Sequence, residues 1–138
     1  MAFEALFQPI QIGKTTIRNR VVSTAHAEVY ATDGGMTTER YVKYYEEKAK
    51  GGCGLCICGG SSVVSIDSPQ AWWSSVNLST DRIIPHFQNL ADAVHKHGGK
   101  IMIQITHMGR RSRWDGFNWS TLLSPSGIRE PVHRSTCK

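Results

Sequence analysis

The sequence contains no apolar run near the roughly 18–20 residues that a membrane helix needs. Its start, Met1-Ala2-Phe3-Glu4, lacks a basic n-region and a long apolar h-region, so no secretory signal is expected and the chain reads as cytoplasmic. There is no HExxH, no P-loop, no GxGxxG and no Ser-His-Asp order, which argues against zinc-protease, dinucleotide-fold and triad-hydrolase chemistry. Cysteine is sparse, with four in 138 residues. Three of them, Cys53, Cys56 and Cys58, include a CxxC, but no second pair completes a zinc or redox site, so no metal is expected. Strong charge of one sign is also missing: the net charge is +5, and residues 107–138 hold six Lys/Arg against two acids. Without a recognition-helix or zinc-finger pattern, that basic stretch reads as a solvated loop and not as a nucleic-acid surface.

What is present is an ordinary globular composition, 40% hydrophobic and 20% charged, sized for one small domain over 1–138. Residues 7–17 alternate apolar and polar around Gly13-Lys14, a short hairpin. Asn19 to Thr24 reads as a first buried strand, followed by a loop with Asp33-Gly34-Gly35 as its turn signal. Thr37 is the expected cap of a helix from Thr38 to Ala49, whose Tyr41, Tyr44, Tyr45 and Ala49 share one face. That stripe reads as core. Leu55 to Cys58 is a second strand, with Cys56 and Cys58 on one face as small apolar residues. Residues 61–79 form a long loop with Trp72-Trp73, equally suited to packing or to a partner. A second helix spans Asp81 to His97, capped by Thr80, with Pro85 in its first turn and its final His95 and His97 at the surface. Lys100 to Ile105 is a third strand, ending at Gln104 and a Gly-Arg loop. Residues 110–138 read as a loop or hairpin excursion.

This β-α-β-loop-α-β order implies parallel strands with right-handed helical crossovers. In such units ligands gather at the carboxyl ends of the strands. The groups there are Thr24-Ala25-His26, Gly59-Gly60 and Gln104. Glycines admit a flat ligand, and an amide both donates and accepts, which suits the imide edge of a heterocycle. Three strands do not close a barrel, which takes eight.

Asn19-Arg20-Val21-Val22, the stretch 47–55, Gln104-Ile105-Thr106-His107-Met108-Gly109-Arg110 and Ser124-Pro125-Ser126, together with the opening Leu6 to Gly13, resemble the old yellow enzyme family of FMN oxidoreductases. The resemblance covers essentially the whole chain. It is nearest the branch holding dienoyl-CoA reductases, trimethylamine dehydrogenase and N-methylproline demethylases, and Ile105 to Trp119 points to demethylation of N-methylated amino acids. The fold implied is the N-terminal portion of a (β/α)8 TIM barrel, with about three parallel strands, two helices and the hairpin. Carried over by position, Thr24, Ala25, His26 and Gly60 would line the FMN ring, and Gln104 would hydrogen-bond its pyrimidine edge. Ala27 stands where trimethylamine dehydrogenase carries its flavin-linking Cys, so non-covalent FMN is implied.

The resemblance further implies a small-molecule substrate, a nicotinamide or an N-methylated amine, NAD(P)H as an electron donor, and an oligomeric parent. The family's later active-site residues and any iron-sulfur segment would lie in a longer enzyme, of which this chain would be the first part. No acid or base is assigned. His107 is the nearest candidate, and a structural role in its loop is the simpler reading. Two alternatives predict something else: a non-flavin phosphate-ligand barrel enzyme, or a non-catalytic interaction module using Trp72-Trp73 and the basic stretch.

Overall fold

The computed structural model describes residues 3–65, 75–109 and 123–128. The chain opens with a single helical turn, α1 (Glu4–Phe7), which the sequence pattern did not signal. The expected hairpin follows as β1 (Ile10–Ile12) and β2 (Thr15–Ile17), antiparallel and turning at Gly13 with φ +56°. The first strand of the main sheet, β3 (Val22–Ser23), is much shorter than the expected Asn19–Thr24. The Arg20 amide donates to the Leu6 carbonyl (2.8 Å) and not across the sheet, and the side chains of Arg18 and Asn19 just before it reach distant carbonyls. Arg18 Nη1 donates to the His97 carbonyl (2.5 Å) and Nη2 to those of Ala49 (2.5 Å) and Cys53 (2.9 Å). Asn19 Nδ2 donates to the Gly52 carbonyl (2.8 Å). The guanidinium thus satisfies carbonyls at the ends of two helices, where a cation suits the dipole.

Helix α2 spans Glu39–Lys50. Its cap is Thr38, one residue after the expected Thr37. Thr38 Oγ1 accepts from the Tyr41 amide (3.2 Å) and donates to the Tyr30 carbonyl (2.5 Å), whereas Thr37 is buried and its carbonyl accepts from His86 Nδ1 (3.2 Å). Tyr41, Tyr45 and Ala49 are buried and Tyr44 is half-buried, as a core face requires. The helix stops at Gly51-Gly52, with φ +104° at Gly52, a value that favours glycine.

Strand β4 (Leu55–Val63) runs five residues past the expected Cys58 end. It pairs in parallel with β3 (Val22 beside Leu55) and with β5 (Lys100–Thr106), giving the order β3-β4-β5. The extension survives two glycines because it bulges. Cys58 lies beside Ile103 and Ser62 beside Ile105, so β4 uses Gly59, Gly60 and Ser61 where β5 uses only Gln104. The sequence signal for a loop here was the signal for a bulge. Thr80 Oγ1 caps as expected, but over a 3-10 turn (Asp81–Ile83), and α3 proper is Ile84–His95 with Pro85 at its start.

Both helices lie on one face of the sheet. Tyr41, Tyr45, Leu90 and Val94 form the buried cluster with Cys56 and Cys58, and Ile101 and Ile103 pack against it. Cys56 and Cys58 are therefore core residues, as their alternation implied. His95 is exposed, while His97 is half-buried, with Nε2 3.4 Å from Glu46 Oε1. The opposite face of the sheet is open: Val22 and Met102 are 46% and 53% exposed. Trp72-Trp73, Arg110 to Trp119 and Cys137 lie outside the described residues.

Candidate functional site

The carboxyl ends of β3 and β4 meet. The Gly60 amide donates to the His26 carbonyl (3.2 Å). A Cβ on Gly60 would stand 2.4–2.8 Å from the His26 backbone atoms, so only glycine allows this approach. Gly59, at φ +81°, supplies the turn of the bulge. Thr24 is exposed and Ala25 half-buried just beyond β3.

The His26 ring is committed. Its Nδ1 lies 3.1 Å from the Thr24 carbonyl, which can only accept, so Nδ1 carries the proton and donates. Nε2 lies 2.7 Å from the Tyr44 hydroxyl, accepting from it in the neutral ring and donating to it when the ring is protonated. The two rings meet edge to face at 5.6 Å, and Tyr44 meets Tyr30 in the same way. Cations flank this aromatic row: the Arg40 guanidinium sits 4.0 Å over Tyr30 and the Lys48 ammonium 4.1 Å over Tyr44. What His26 offers a ligand is therefore its backbone and the edge of a fixed ring.

Gln104 lies opposite the bulge. Alternation along β5 puts it on the open face with Met102, away from Ile101 and Ile103. Its side chain is exposed, and no hydrogen bond to its amide is formed among the described residues. The site therefore offers one free amide at a strand end, next to an exposed apolar sheet face. His107, just past β5, uses Nδ1 to accept from the Gly109 amide at 3.1 Å, in keeping with a structural role in the loop. Among the described residues no group of three His, Cys, Asp or Glu could hold a metal ion, and no helix is long and apolar enough to cross a membrane.

Four residues near the bulge escaped the sequence reading as site residues. Glu28, Tyr41, Ser62 and Ser75 line a small internal cavity beside Gly59 and Val29. Burial pushes the Glu28 carboxyl above the usual carboxylate range, partly offset by its backbone hydrogen bond and by His26. Tyr41 has the spacing of a core aromatic, and nothing in the spacing of the other three links them.

The sequence model of the NADH:flavin oxidoreductase / NADH oxidase family matches residues 5–137. Two relatives are an N,N-dimethylglycine/sarcosine dehydrogenase of Chromohalobacter salexigens, 93% identical over all of this chain, and a probable N-methylproline demethylase of Rhizobium meliloti, 43% identical over 98% of it. The chain spans about a fifth of the length of each, 20% in both cases. Among solved structures, an old yellow enzyme from Trypanosoma cruzi superposes with TM-score 0.78 at 26% identity, over 98% of this chain and 39% of that one. A 2-naphthoyl-CoA reductase complex superposes with TM-score 0.87 over 98% of this chain and 22% of that one; at 24% identity this likeness concerns the fold alone. The architecture is thus that of the first part of an old-yellow-enzyme TIM barrel.

Proposed function

Because the chain belongs to the NADH:flavin oxidoreductase / NADH oxidase family, we propose that the intact protein is a cytoplasmic enzyme that binds FMN without a covalent link at the carboxyl ends of β3, β4 and β5 and oxidises N-methylated amines or amino acids. The free Gln104 amide beside the open apolar face carries this reading. The residues fit a flavin. An amide can pair with both a donor and an acceptor on the heterocycle's edge, and the apolar face suits a flat ring. The bulge at Gly59 and Gly60 keeps side chains out of the way.

In this reading Gln104 holds the pyrimidine edge and biases the ring's electron affinity. Thr24, Ala25, His26 and Gly60 form the wall, with the His26 ring fixed by Tyr44 and the Thr24 carbonyl. Bound FMN supplies two-electron exchange with the substrate. Ala27 offers no sulfur for attachment. The likeness to an N,N-dimethylglycine/sarcosine dehydrogenase supports a small N-methylated substrate. NAD(P)H as a second electron partner and an iron-sulfur centre outside this chain belong to the same reading. Family membership favours it over a non-flavin barrel enzyme or an interaction module.

The test is the intact protein purified from its source. It should be yellow, should release its flavin on acid denaturation, and should be bleached anaerobically by sarcosine or N,N-dimethylglycine. A colourless protein would overturn the flavin reading. A yellow protein that only NAD(P)H bleaches would overturn the substrate.

A further inference from the structure

Four polar atoms line the space behind the bulge of β4 without a close hydrogen bond among the described residues: Glu28 Oε1, Tyr41 Oη, Ser62 Oγ and Ser75 Oγ; the Tyr41 hydroxyl faces the Glu28 carboxyl. All are shielded from bulk solvent. Ser62 is 0%, Tyr41 1% and Ser75 6% exposed. Their side chains line one cavity, which offers about 10 Å³ to the centre of a water molecule. That is the room one water requires, and a buried water commonly makes about three hydrogen bonds.

We propose that this cavity is a binding site for a single water molecule, held by Glu28, Tyr41, Ser62 and Ser75, and that this water ties the loop carrying His26 to the bulged end of β4. Each hydroxyl can donate or accept, and the carboxyl accepts, so a water's two protons and two lone pairs can all be matched. A dry site would leave the Ser62 and Ser75 hydroxyls unpaired and the Tyr41 hydroxyl and Glu28 carboxyl with only each other at poor geometry, a larger penalty than immobilising one water.

Neither of the nearby cations replaces that water. The Lys48 ammonium donates to Ser23 Oγ (2.9 Å) and lies over Tyr44, and both His26 ring nitrogens are engaged. The loop also carries a sign of being held. Val29, next to Glu28, sits at φ +57°, a left-handed conformation that a β-branched residue takes only when its surroundings impose it. The hydrogen bond from the Gly60 amide to the His26 carbonyl is the one other backbone tie between loop and bulge among the described residues. Glu28 and Ser62 lie two residues beyond the two ends of that bond, so the water would close a ring around it.

The proposal stands on this cavity alone and holds whether or not the protein carries flavin. A crystal structure of the intact protein at about 1.5 Å should show one solvent peak about 2.6–3.2 Å from at least three of the four oxygens. Ser62→Val, which puts a methyl group in the cavity, should abolish the peak and speed exchange of the Gly60 amide about tenfold or more. Glu28→Gln, which keeps shape and polarity, should retain the peak and the slow exchange. An empty cavity, or one closed by direct contacts between the four oxygens, would overturn the proposal. So would a peak with the short contacts of a metal ion and an anomalous signal after rubidium soaking. Unchanged Gly60 exchange after loss of the water would overturn the tie. Should Ser62→Val not fold, the wild-type and Glu28→Gln structures decide.

Discussion

Gly60 and Glu28 sit on the two sides of the same contact, and each makes a distinct demand. At Gly60 the demand is steric. Alanine would place its Cβ 2.4–2.8 Å from the His26 backbone, and overpacking of this kind costs about 1–3 kcal/mol. Gly60→Ala is expected to lower the denaturant midpoint and to weaken flavin retention in the intact protein; an unchanged midpoint would mean that the loop yields freely. At Glu28 the demand is electrostatic. Its carboxyl titrates above the ordinary value of 4.5 because burial disfavours its charge. The groups that face it are His26 and Lys48, which favour the charge, and the Tyr41 hydroxyl. A raised folded pKa means that Glu28 contributes stability at low pH and loses it as pH rises through that value. Glu28→Gln is therefore expected to match the parent in acid and to exceed it at neutral pH. Urea melts at several pH values read this directly, and a gain confined to acid would contradict the sign.

At the scale of elements, β4 is the strand on which the site and the core meet. Its helix-facing thiols, Cys56 and Cys58, are each pushed up to about 12 by burial. At pH 8 their thiolate fraction would be on the order of one in ten thousand. Both should resist alkylating reagents in the folded protein and react once urea exposes them; fast native labelling followed by peptide mapping to these positions would contradict the packing. Their alternation with Leu55 and Ile57 made that face legible in the sequence, as the tyrosine stripe did for α2. The pattern was blind where one residue has two local roles. Gly59-Gly60 has the composition of a loop, yet it is the bulge that lets β4 continue. Thr37 and Thr38 are equivalent caps by composition, and only the bond from Thr38 to the Tyr30 carbonyl decides between them. The short β3 reflects the Arg20 amide, which donates to the Leu6 carbonyl and not across the sheet, and Asn19, whose side-chain partner Gly52 lies 33 residues away, beyond any local window. Of the candidate site, the adjacency of His26 and Gly60 at the strand ends was readable by position. The cavity of Glu28, Tyr41, Ser62 and Ser75 was not, because four separate segments build it.

At the scale of the molecule, one face of the sheet has helices and the other has none among the described residues. Parallel sheets are normally covered on both faces. Here Val22, Met102 and, where the helix layer runs out, Ile105 (66% exposed) face water. β3 and β5 also present unpaired edges among the described residues. Residues 1–138 produced alone should therefore self-associate and hold little or no flavin. Sedimentation of that product checks this, and a monodisperse monomer with stoichiometric FMN would overturn it. The other end of the sheet is differently made. There Arg18 fastens the hairpin to the ends of both helices and to the entry of β4. Mechanically this is a rivet: a chain pulled from its amino terminus would strain that guanidinium before any strand of the main sheet felt the load, so the amino-terminal end of the sheet sets the force that its carboxyl end can survive.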